Sequence, residues 1–533
     1  MTRRAMVVAL AGGCAVLASP AAAQNRSKVI APYIELNQVV TADLQTDDVL
    51  TYTSIAAGVD ASIQTQRTQV ALSYRYERRI AWDDDVGDDD VHSGLARAAI
   101  SLAPGVSLEG GALATRARSD IRGAAPGVLA GNVSNISQVF SAYVGPTLAT
   151  QSGPFSIGAA YRYGYTKVED PGFKDVPGGP VLDNYDDANS HVATASIATR
   201  AGTLLPVGVT LSGSYEREDA HQLSQRYEGY YGRGDLLLPV TPTLALAAGA
   251  GYERIEVSSR DAQLDAAGNP VLDENGRFVE AANGFRRIAY NTDGWIWDAG
   301  VVWRPSPRTS LTATVGRRYG STIYTGSFTW AVRSDLGLQI GVYDQVDTFA
   351  RQLRRGIAGL PTSFLTERDA FAQTFSGCTF GTSSAAIGGC LNGVFQSIAT
   401  ASYRSRGVDA VLQAQRGPLS YGVGAGYANR RFFGNPNATW SLYGITDESY
   451  YAQGFLAAQL TPVSGINADV FANYFESGLG DAPGVTSVGA TGLYYRNWGR
   501  LGATASLGIY NFSQDGADDQ TSATAQVGMR YQF

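Results

Sequence analysis

Three histidines, two closely spaced cysteines and two runs of aspartate are the side chains of this sequence with an evident capacity for chemistry. The histidines are His92, His191 and His221, each distant from the others along the chain. Catalysis needs a base, a group that orients it and a site for the developing charge, all converging on one point. The sequence has no G-x-S-x-G motif, metal-ligand cluster or glycine-rich phosphate loop. We therefore predict a protein that is not an enzyme, with no catalytic residues, cofactor or bound metal.

The two cysteines, Cys378 and Cys390, enclose a stretch rich in glycine and serine. A zinc site is disfavoured because no histidine or third cysteine lies nearby, so we predict a disulfide bond between them. Asp83–Asp85 and Asp88–Asp90 could bind calcium that bridges lipopolysaccharide, but they lack the EF-hand spacing. We interpret them as a solvated acidic loop, and calcium binding remains the alternative.

The elements that position these residues are strands, as the last eleven residues illustrate. Apolar side chains occupy every second position there, at Ala525, Val527, Met529, Tyr531 and Phe533. Such alternation predicts a β-strand with one apolar face. A soluble strand with an open apolar edge would invite aggregation, whereas the same strand in a closed membrane barrel would face lipid. Tyr531 and Phe533 resemble the terminal signal by which bacterial outer-membrane barrels are recognised for assembly.

The polar positions of these strands predict a wet lumen. In Gln69–Trp82 the polar set includes Arg75, Glu77 and Arg79, and the intervening residues are mostly apolar. Charges are expensive against lipid and inexpensive in water, so we place them inside the barrel. The complete set of predicted lumen charges is Arg75, Glu77, Arg79, Asp298, Arg404, Arg406 and Asp409. Because Asp409 has the opposite parity to Arg404 and Arg406, this assignment requires a bulge or bend near Gly407.

Connections that alternate between short turns and longer polar loops complete the pattern. They predict an all-β, antiparallel, up-and-down transmembrane barrel of about 22 strands (roughly 20 to 24), with short periplasmic turns and long extracellular loops. The longest loops are predicted at 256–292 and 344–396. The second contains a potential helix, Ala350–Ile357, and it either folds into the lumen as a constriction or covers the outer mouth.

The start of the chain predicts export. Residues 1–23 have a charged start (Arg3, Arg4), an apolar stretch and a small-residue cleavage site, as in a signal peptide. The barrel would then occupy 24–533, with little room before its first strand, so a transporter with an N-terminal plug domain is disfavoured. The formal net charge of −7 and the lack of a basic stripe argue against nucleic acid as a partner.

Three short motifs add a family resemblance. They are W-R-P-S-P-R-T at Trp303–Thr309, G-R-R-Y-G at Gly316–Gly320 and Y-D-Q-V at Tyr343–Val346. This segment resembles an uncharacterised outer-membrane barrel family associated with PEP-CTERM/exosortase systems, which accompany exopolysaccharide biosynthesis. The resemblance implies a role near polysaccharide export or surface assembly, and it carries over no catalytic residues.

Together these features favour a non-enzymatic, porin-like channel in the outer membrane of a Gram-negative cell, biased by its lumen arginines toward anions. The alternatives are a structural or adhesive barrel with a closed lumen that acts through its loops, and an outer-membrane hydrolase that uses His191 and His221. The expected partners are outer-membrane lipid, lipopolysaccharide and the barrel assembly machinery. Exopolysaccharide or its export proteins are further candidates.

Overall fold

The computed structural model describes residues 27–46, 48–82, 88–119, 136–169, 183–365, 371, 375, 377–384, 386–396, 398–436, 441–479, 484–516 and 518–533. The predicted signal peptide and Asp83–Asp85 lie outside these residues. The described chain is almost entirely β-strand. The strands are β1 (Ser27–Asp43), β2 (Val49–Gln64), β3 (Thr68–Ala81), β4 (Asp89–Ala103), β5 (Val106–Arg118), β6 (Ile136–Ser152), β7 (Phe155–Glu169), β8 (Asp187–Thr199), β9 (Gly208–Ala220), β10 (Arg226–Pro239), β11 (Leu244–Arg260), β12 (Arg286–Ser306), β13 (Thr309–Arg318), β14 (Ser321–Arg333), β15 (Leu336–Asp347), β16 (Cys378–Ser383), β17 (Ala386–Cys390), β18 (Tyr403–Arg416), β19 (Leu419–Phe432), β20 (Thr446–Thr461), β21 (Ser464–Ser477), β22 (Val485–Trp498), β23 (Leu501–Gln514) and β24 (Gln520–Gln532).

All strands except β16 and β17 form one antiparallel sheet of 22 strands. Each of these strands pairs with the next along the chain, and β15 pairs with β18 because β16 and β17 form a separate hairpin. The last strand closes the sheet on the first, in a register that runs from Tyr33↔Gln532 to Asp43↔Ser522. The predicted fold and strand number are confirmed. A closed barrel leaves no free edge, so every backbone group within lipid can be satisfied.

One face of each strand is apolar and points away from the barrel axis. In β24 the side chains of Val527, Met529 and Tyr531 are exposed, as expected for a lipid-facing surface. Tyrosines lie near the strand ends that carry the longer loops, where their hydroxyls reach polar groups: Tyr163 donates to Asn189 Oδ1 at 2.6 Å and Tyr165 to Asp187 Oδ2 at 3.0 Å. An apolar band bordered by such rings is the surface of an outer-membrane barrel. The protein is located in the bacterial outer membrane.

The connections differ between the two ends of the barrel, as predicted. One end has short turns, for example between β2 and β3 and between β18 and β19. At the other end the strands extend further than the sequence analysis expected. β11 continues to Arg260 and β12 begins at Arg286, so the first long loop is 261–285 rather than 256–292. The second is 348–402 rather than 344–396. Polar residues can continue a strand above the membrane, so composition alone overestimated the first loop.

The loop 348–402 contains the one long helix of the described ranges, α1 (Phe349–Gly359). Its first turn is capped by Thr348, whose Oγ1 accepts a hydrogen bond from the Arg351 amide at 3.3 Å. The helix predicted at Ala350–Ile357 is confirmed. Within the described ranges, no helix is long and apolar enough to cross a membrane.

Candidate functional site

The loop 348–402, which we call the luminal loop, folds into the barrel. The apolar side of α1, formed by Phe349, Leu353 and Ile357, is completely buried. It packs in one apolar cluster with side chains from the inner faces of neighbouring strands, including Leu95, Leu113, Val139, Tyr143 and Val168. Burial of a large apolar side chain contributes about 1.5–3 kcal/mol, so this cluster holds the helix against the wall formed by β4 to β7.

The luminal loop reaches the end of the barrel that carries the short turns. Thr362 Oγ1 donates to Gln69 Oε1 at 2.8 Å, and the Thr362 carbonyl accepts from Gln64 Nε2 at 3.4 Å. Gln64 and Gln69 flank the turn between β2 and β3. Near another such turn, the side chain of Ile387 lies against the backbone of Gly337. The loop therefore extends through the lumen to the short-turn end and does not merely cover the outer mouth, which answers the question left open by the sequence.

A disulfide bond closes the tip of this loop, as predicted. Cys378 and Cys390 are opposite one another in the β16–β17 hairpin and are joined by an S–S bond of 2.01 Å. The sulfur atoms lie beside Gly424 of β19, where a Cβ would collide with them. The Cys378 amide donates to Gln453 Oε1 at 2.7 Å. The hairpin is thus fixed on β19 and β20.

Arginines on the barrel wall bind carbonyl groups of the luminal loop. Arg97 donates to the carbonyls of Leu360 and Ala358, both at 3.0 Å, and so satisfies groups at the end of α1. Arg430, completely buried, donates to the Val394 carbonyl at 2.7 Å. These side chains were not singled out from the sequence, although both occupy inward positions of their strands.

An ionic contact fixes the start of α1. Arg351 is buried and forms a salt bridge with Glu216 on the inner face of β9. Its guanidinium also lies 3.5 Å from the ring centre of Tyr227 and donates to the Val346 carbonyl at 3.0 Å. Beside it, Thr348 Oγ1 donates to Glu218 Oε1 at 2.5 Å. This group, on β9 and β10, was also missed by the sequence analysis because its arginine lies in a loop without strand periodicity.

Apart from Tyr227 and Gly337, which the luminal loop contacts, the inner face of β10 to β15 has a different character, and we call this remaining part the uncovered wall. Its charged side chains bind one another: Arg233 Nη2 lies 2.9 Å from Asp298 Oδ2 and also pairs with Asp235, while Arg318 pairs with Glu253. Further round the wall, the inward side chains of Ser327 and Gln339 are exposed to water. A polar, hydrated strip therefore lies alongside the luminal loop.

Five of the seven predicted lumen charges lie on inner faces, namely Arg75, Glu77, Arg79, Asp298 and Asp409. Arg75 Nε is 3.0 Å from Glu35 Oε2, and Arg79 Nε is 3.0 Å from Glu77 Oε1. Arg79 also donates to the Phe371 carbonyl of the luminal loop at 3.1 Å. Asp298 belongs to the uncovered wall.

The structure places Arg404 and Arg406 differently from the prediction. The pairing of β18 with both neighbours continues through Gly407 without a register shift, so the expected bulge is absent. Both arginines therefore lie on the face of β18 opposite Tyr403, Ser405 and Asp409. Arg404 makes a two-pronged contact with Asp344 at 2.6 and 2.8 Å, and Arg406 Nε lies 3.2 Å from the same carboxylate.

The three histidines have separate partners in the described part of the chain. His92 Nδ1 is 2.8 Å from Tyr74 Oη and His191 Nδ1 is 2.8 Å from Tyr161 Oη, both on outward faces. His221 Nδ1 lies 2.8 Å from Asp186 Oδ2. Asp186 and Asp187 with His221 could together contact a metal ion, but Arg277 already pairs with Asp186 at 3.2 Å. The geometry therefore offers no convergent catalytic group that involves these histidines.

The predicted assembly signal lies at the short-turn end of the barrel. The rings of Tyr531 and Phe533 meet edge to face, with centres 5.3 Å apart, and both are exposed. The Phe533 amide donates to the Pro32 carbonyl at 3.0 Å, which ties the terminus to β1. Recognition of these residues by an assembly machinery stays a prediction.

Comparison with known proteins adds information at the level of fold. No protein-family model and no curated protein matches the chain. Among solved structures it is similar to the FrpB iron transporter from Neisseria meningitidis, with 11% identity, 94% of this chain and 82% of that chain covered, and a TM-score of 0.43. It is also similar to the ferric-catecholate import receptor Fiu from E. coli K12, with 11% identity, 94% of this chain and 81% of that chain covered, and a TM-score of 0.43. The siderophore receptor PiuA from Acinetobacter baumannii is similar at 9% identity, with 94% of this chain and 82% of that chain covered and a TM-score of 0.41. Such a distant likeness concerns the barrel architecture alone. The protein is an outer-membrane β-barrel of 22 strands with a loop folded into its lumen.

Proposed function

We propose that this protein is a non-enzymatic, passive channel for small hydrophilic solutes, in which the luminal loop forms the constriction. The observation that carries the proposal is the contrast between the two sides of the lumen. The luminal loop packs on β1 to β9, on β18 to β20 and on β23, while the uncovered wall carries charges that bind one another and exposed polar side chains such as Ser327 and Gln339. A solute would pass between this wall and the loop.

The charges of the uncovered wall lead us to propose a different ion selectivity from the anion preference expected from the sequence. That expectation depended on Arg75, Arg79, Arg404 and Arg406, each of which is paired with a carboxylate. The paired charges described on the uncovered wall are three carboxylates, on Asp235, Glu253 and Asp298, and the guanidinium groups of Arg233 and Arg318. This group has a formal charge of −1, which favours a weak preference for cations.

Selectivity in a salt gradient tests this path. Replacing Asp298 and Asp235 by Asn should shift the reversal potential in the direction of anion selectivity, because Arg233 and Arg318 then outnumber the remaining carboxylate of Glu253. Glu274→Gln is the matched control, since Glu274 is an exposed carboxylate in the outer loop 261–285. If the two Asn replacements and the control behaved alike in a conducting barrel, the uncovered wall would not line the path.

The closed structural barrel is the second candidate, and the luminal loop itself favours it. A loop with apolar, ionic and disulfide contacts on several sides of the lumen could simply seal the barrel. A protein that never conducts in planar bilayers, although folded, would support this function instead.

A link to exopolysaccharide is the more specific part of the proposal. It is supported by the resemblance of Trp295–Ala350 to barrels of PEP-CTERM/exosortase systems. Deleting the gene in its native host should reduce surface polysaccharide, and the intact gene should restore it. Unchanged polysaccharide in the deletion strain would remove this role without affecting the channel proposal.

A further inference from the structure

A cavity of about 430 Å³ opens at the loop-bearing end of the barrel. It lies between the top of β11 and β12, the turn after β9, the end of the luminal loop and the segment that follows β19. We call it the mouth pocket. Its volume falls in the range typical of sites for small molecules, roughly 300–1,000 Å³. It is separate from the uncovered wall, and the proposed channel function does not require it.

The mouth pocket contains an acceptor atom without a partner. Asp183 Oδ1 accepts a hydrogen bond from the Phe278 amide at 2.9 Å and another from Gln222 Nε2. Asp183 Oδ2 is enclosed and has no hydrogen-bond partner in the described structure. A buried oxygen of this kind costs about 1–3 kcal/mol unless something donates to it. A ligand hydroxyl in the pocket would remove that cost.

The rest of the lining indicates which ligand would fit. Apolar surface comes mainly from Leu223, Phe278, Ile288, Phe433 and Leu442, and Gln225 contributes an amide. The two arginines of the pocket are already neutralised, Arg260 by Glu280 at 2.7 Å and Arg287 by Asp261 at 2.6 Å. An anionic ligand would therefore find no free countercharge among these pairs. A neutral molecule with hydroxyl groups and an apolar C–H face suits both parts of the lining.

We infer that the mouth pocket binds a neutral mono- or disaccharide from the extracellular side. One sugar hydroxyl donates to Asp183 Oδ2, a second polar group meets the Gln225 amide, and the C–H face of the ring packs on the apolar lining. This inference goes beyond the proposed function, because such binding does not depend on whether the barrel conducts.

Saturation-transfer NMR above about pH 8, where the Asp183 carboxyl is ionised and can accept a hydroxyl, tests the inference on the full-length protein in a detergent without a sugar headgroup. The probes are D-glucose, D-galactose, D-mannose and maltose, with benzylamine and benzoate as charged molecules of similar size. At least one saccharide should bind, and Asp183→Asn should weaken its binding at least tenfold because the amide nitrogen cannot accept a hydroxyl. Glu274→Gln should bind like the parent protein.

A second variant is needed because Asp183 also accepts a hydrogen bond from the Phe278 amide, so Asp183→Asn could disturb the fold of the loop 261–285. Gln225→Ala removes only an amide of the pocket and should weaken saccharide binding severalfold. The inference is overturned if no saccharide binds, if binding survives both Asp183→Asn and Gln225→Ala, or if benzylamine or benzoate binds more tightly than every sugar.

Discussion

The ionic contact between Arg351 and Glu216 should control how firmly α1 is held in the lumen. Replacing Arg351 by Ala leaves the Glu216 carboxylate without its partner and removes the group that lies on Tyr227. The loss of one partner from a buried ion pair costs about 3–5 kcal/mol. Because every 1.4 kcal/mol is a factor of ten, the lower figure makes release of the helix roughly 150-fold more favourable.

Hydrogen–deuterium exchange of the α1 amides measures this release directly. In the Arg351→Ala variant these amides should exchange about a hundredfold faster, while the strands of the barrel keep their protection. Arg78→Ala is the matched control, because Arg78 pairs with Asp88 and Asp90 in an exposed site, at 2.9 and 2.7 Å. A surface pair of this kind contributes about 0–1 kcal/mol, so α1 should be unaffected.

A double replacement separates loss of the pair from loss of packing. Arg351→Met together with Glu216→Gln removes both charges and keeps most of the volume, so it should restore much of the protection of α1. If Arg351→Ala changed the exchange of α1 by less than about fivefold, the ion pair would not anchor the helix. The apolar cluster around Leu353 would then account for its position alone.

Three further predictions follow from the ends and loops of the barrel. Deleting Phe533 should lower the amount of heat-modifiable barrel in the outer membrane without blocking secretion, and normal yield in the truncated protein would contradict the assembly signal. Mass spectrometry of the unreduced protein should find Cys378 joined to Cys390, a link that contributes about 3 kcal/mol in the chain-entropy model, whereas two free thiols would contradict it. Burial raises the pKa of Asp183 from 3.8 to about 7, despite hydrogen bonds to its carboxylate from the Phe278 amide and the Gln222 side chain. Between these two pKa values the folded loop holds a proton that the unfolded loop releases, so raising the pH destabilises the folded loop. Protection of the Phe278 amide from hydrogen exchange, corrected for the intrinsic exchange rate, should therefore fall from about pH 4 to pH 7. In the Asp183→Asn variant this protection should not depend on pH.

The barrel could be predicted from the sequence because the alternation of polar and apolar residues along its strands has a direct physical cause. In β3 and β24 one face must meet lipid and the other water, so parity alone placed Arg75, Glu77, Arg79 and Met529 correctly relative to the axis. The same argument failed in β18, where a bulge near Gly407 was expected to bring Arg404, Arg406 and Asp409 into the lumen together, and the strand has no such bulge. Asp344 provides the countercharge of the two arginines, and this pairing is visible only once β15 and β18 are adjacent.

The luminal loop could be predicted only in part. Its helix and disulfide are local features that composition and spacing indicate. Its position depends on contacts with residues more than a hundred positions away, such as Arg97 and Glu216, and no periodicity in the loop indicates them. Asp183 was missed for the same reason, since its environment is assembled from four separate segments.

Single-channel conductance in planar bilayers tests the central claim most directly. The comparison is between the parent protein, a variant in which a short glycine linker replaces residues 349–400, and a variant with Thr362→Cys and Gln69→Cys that ties the loop to the wall. With all three shown to be folded by heat-modifiable migration, the parent should give a small, steady conductance that the cross-link preserves, and the loop-deleted barrel should give a conductance several times larger. A parent protein that does not conduct, or one whose conductance equals that of the loop-deleted barrel, would contradict the claim that solutes pass between the luminal loop and the uncovered wall.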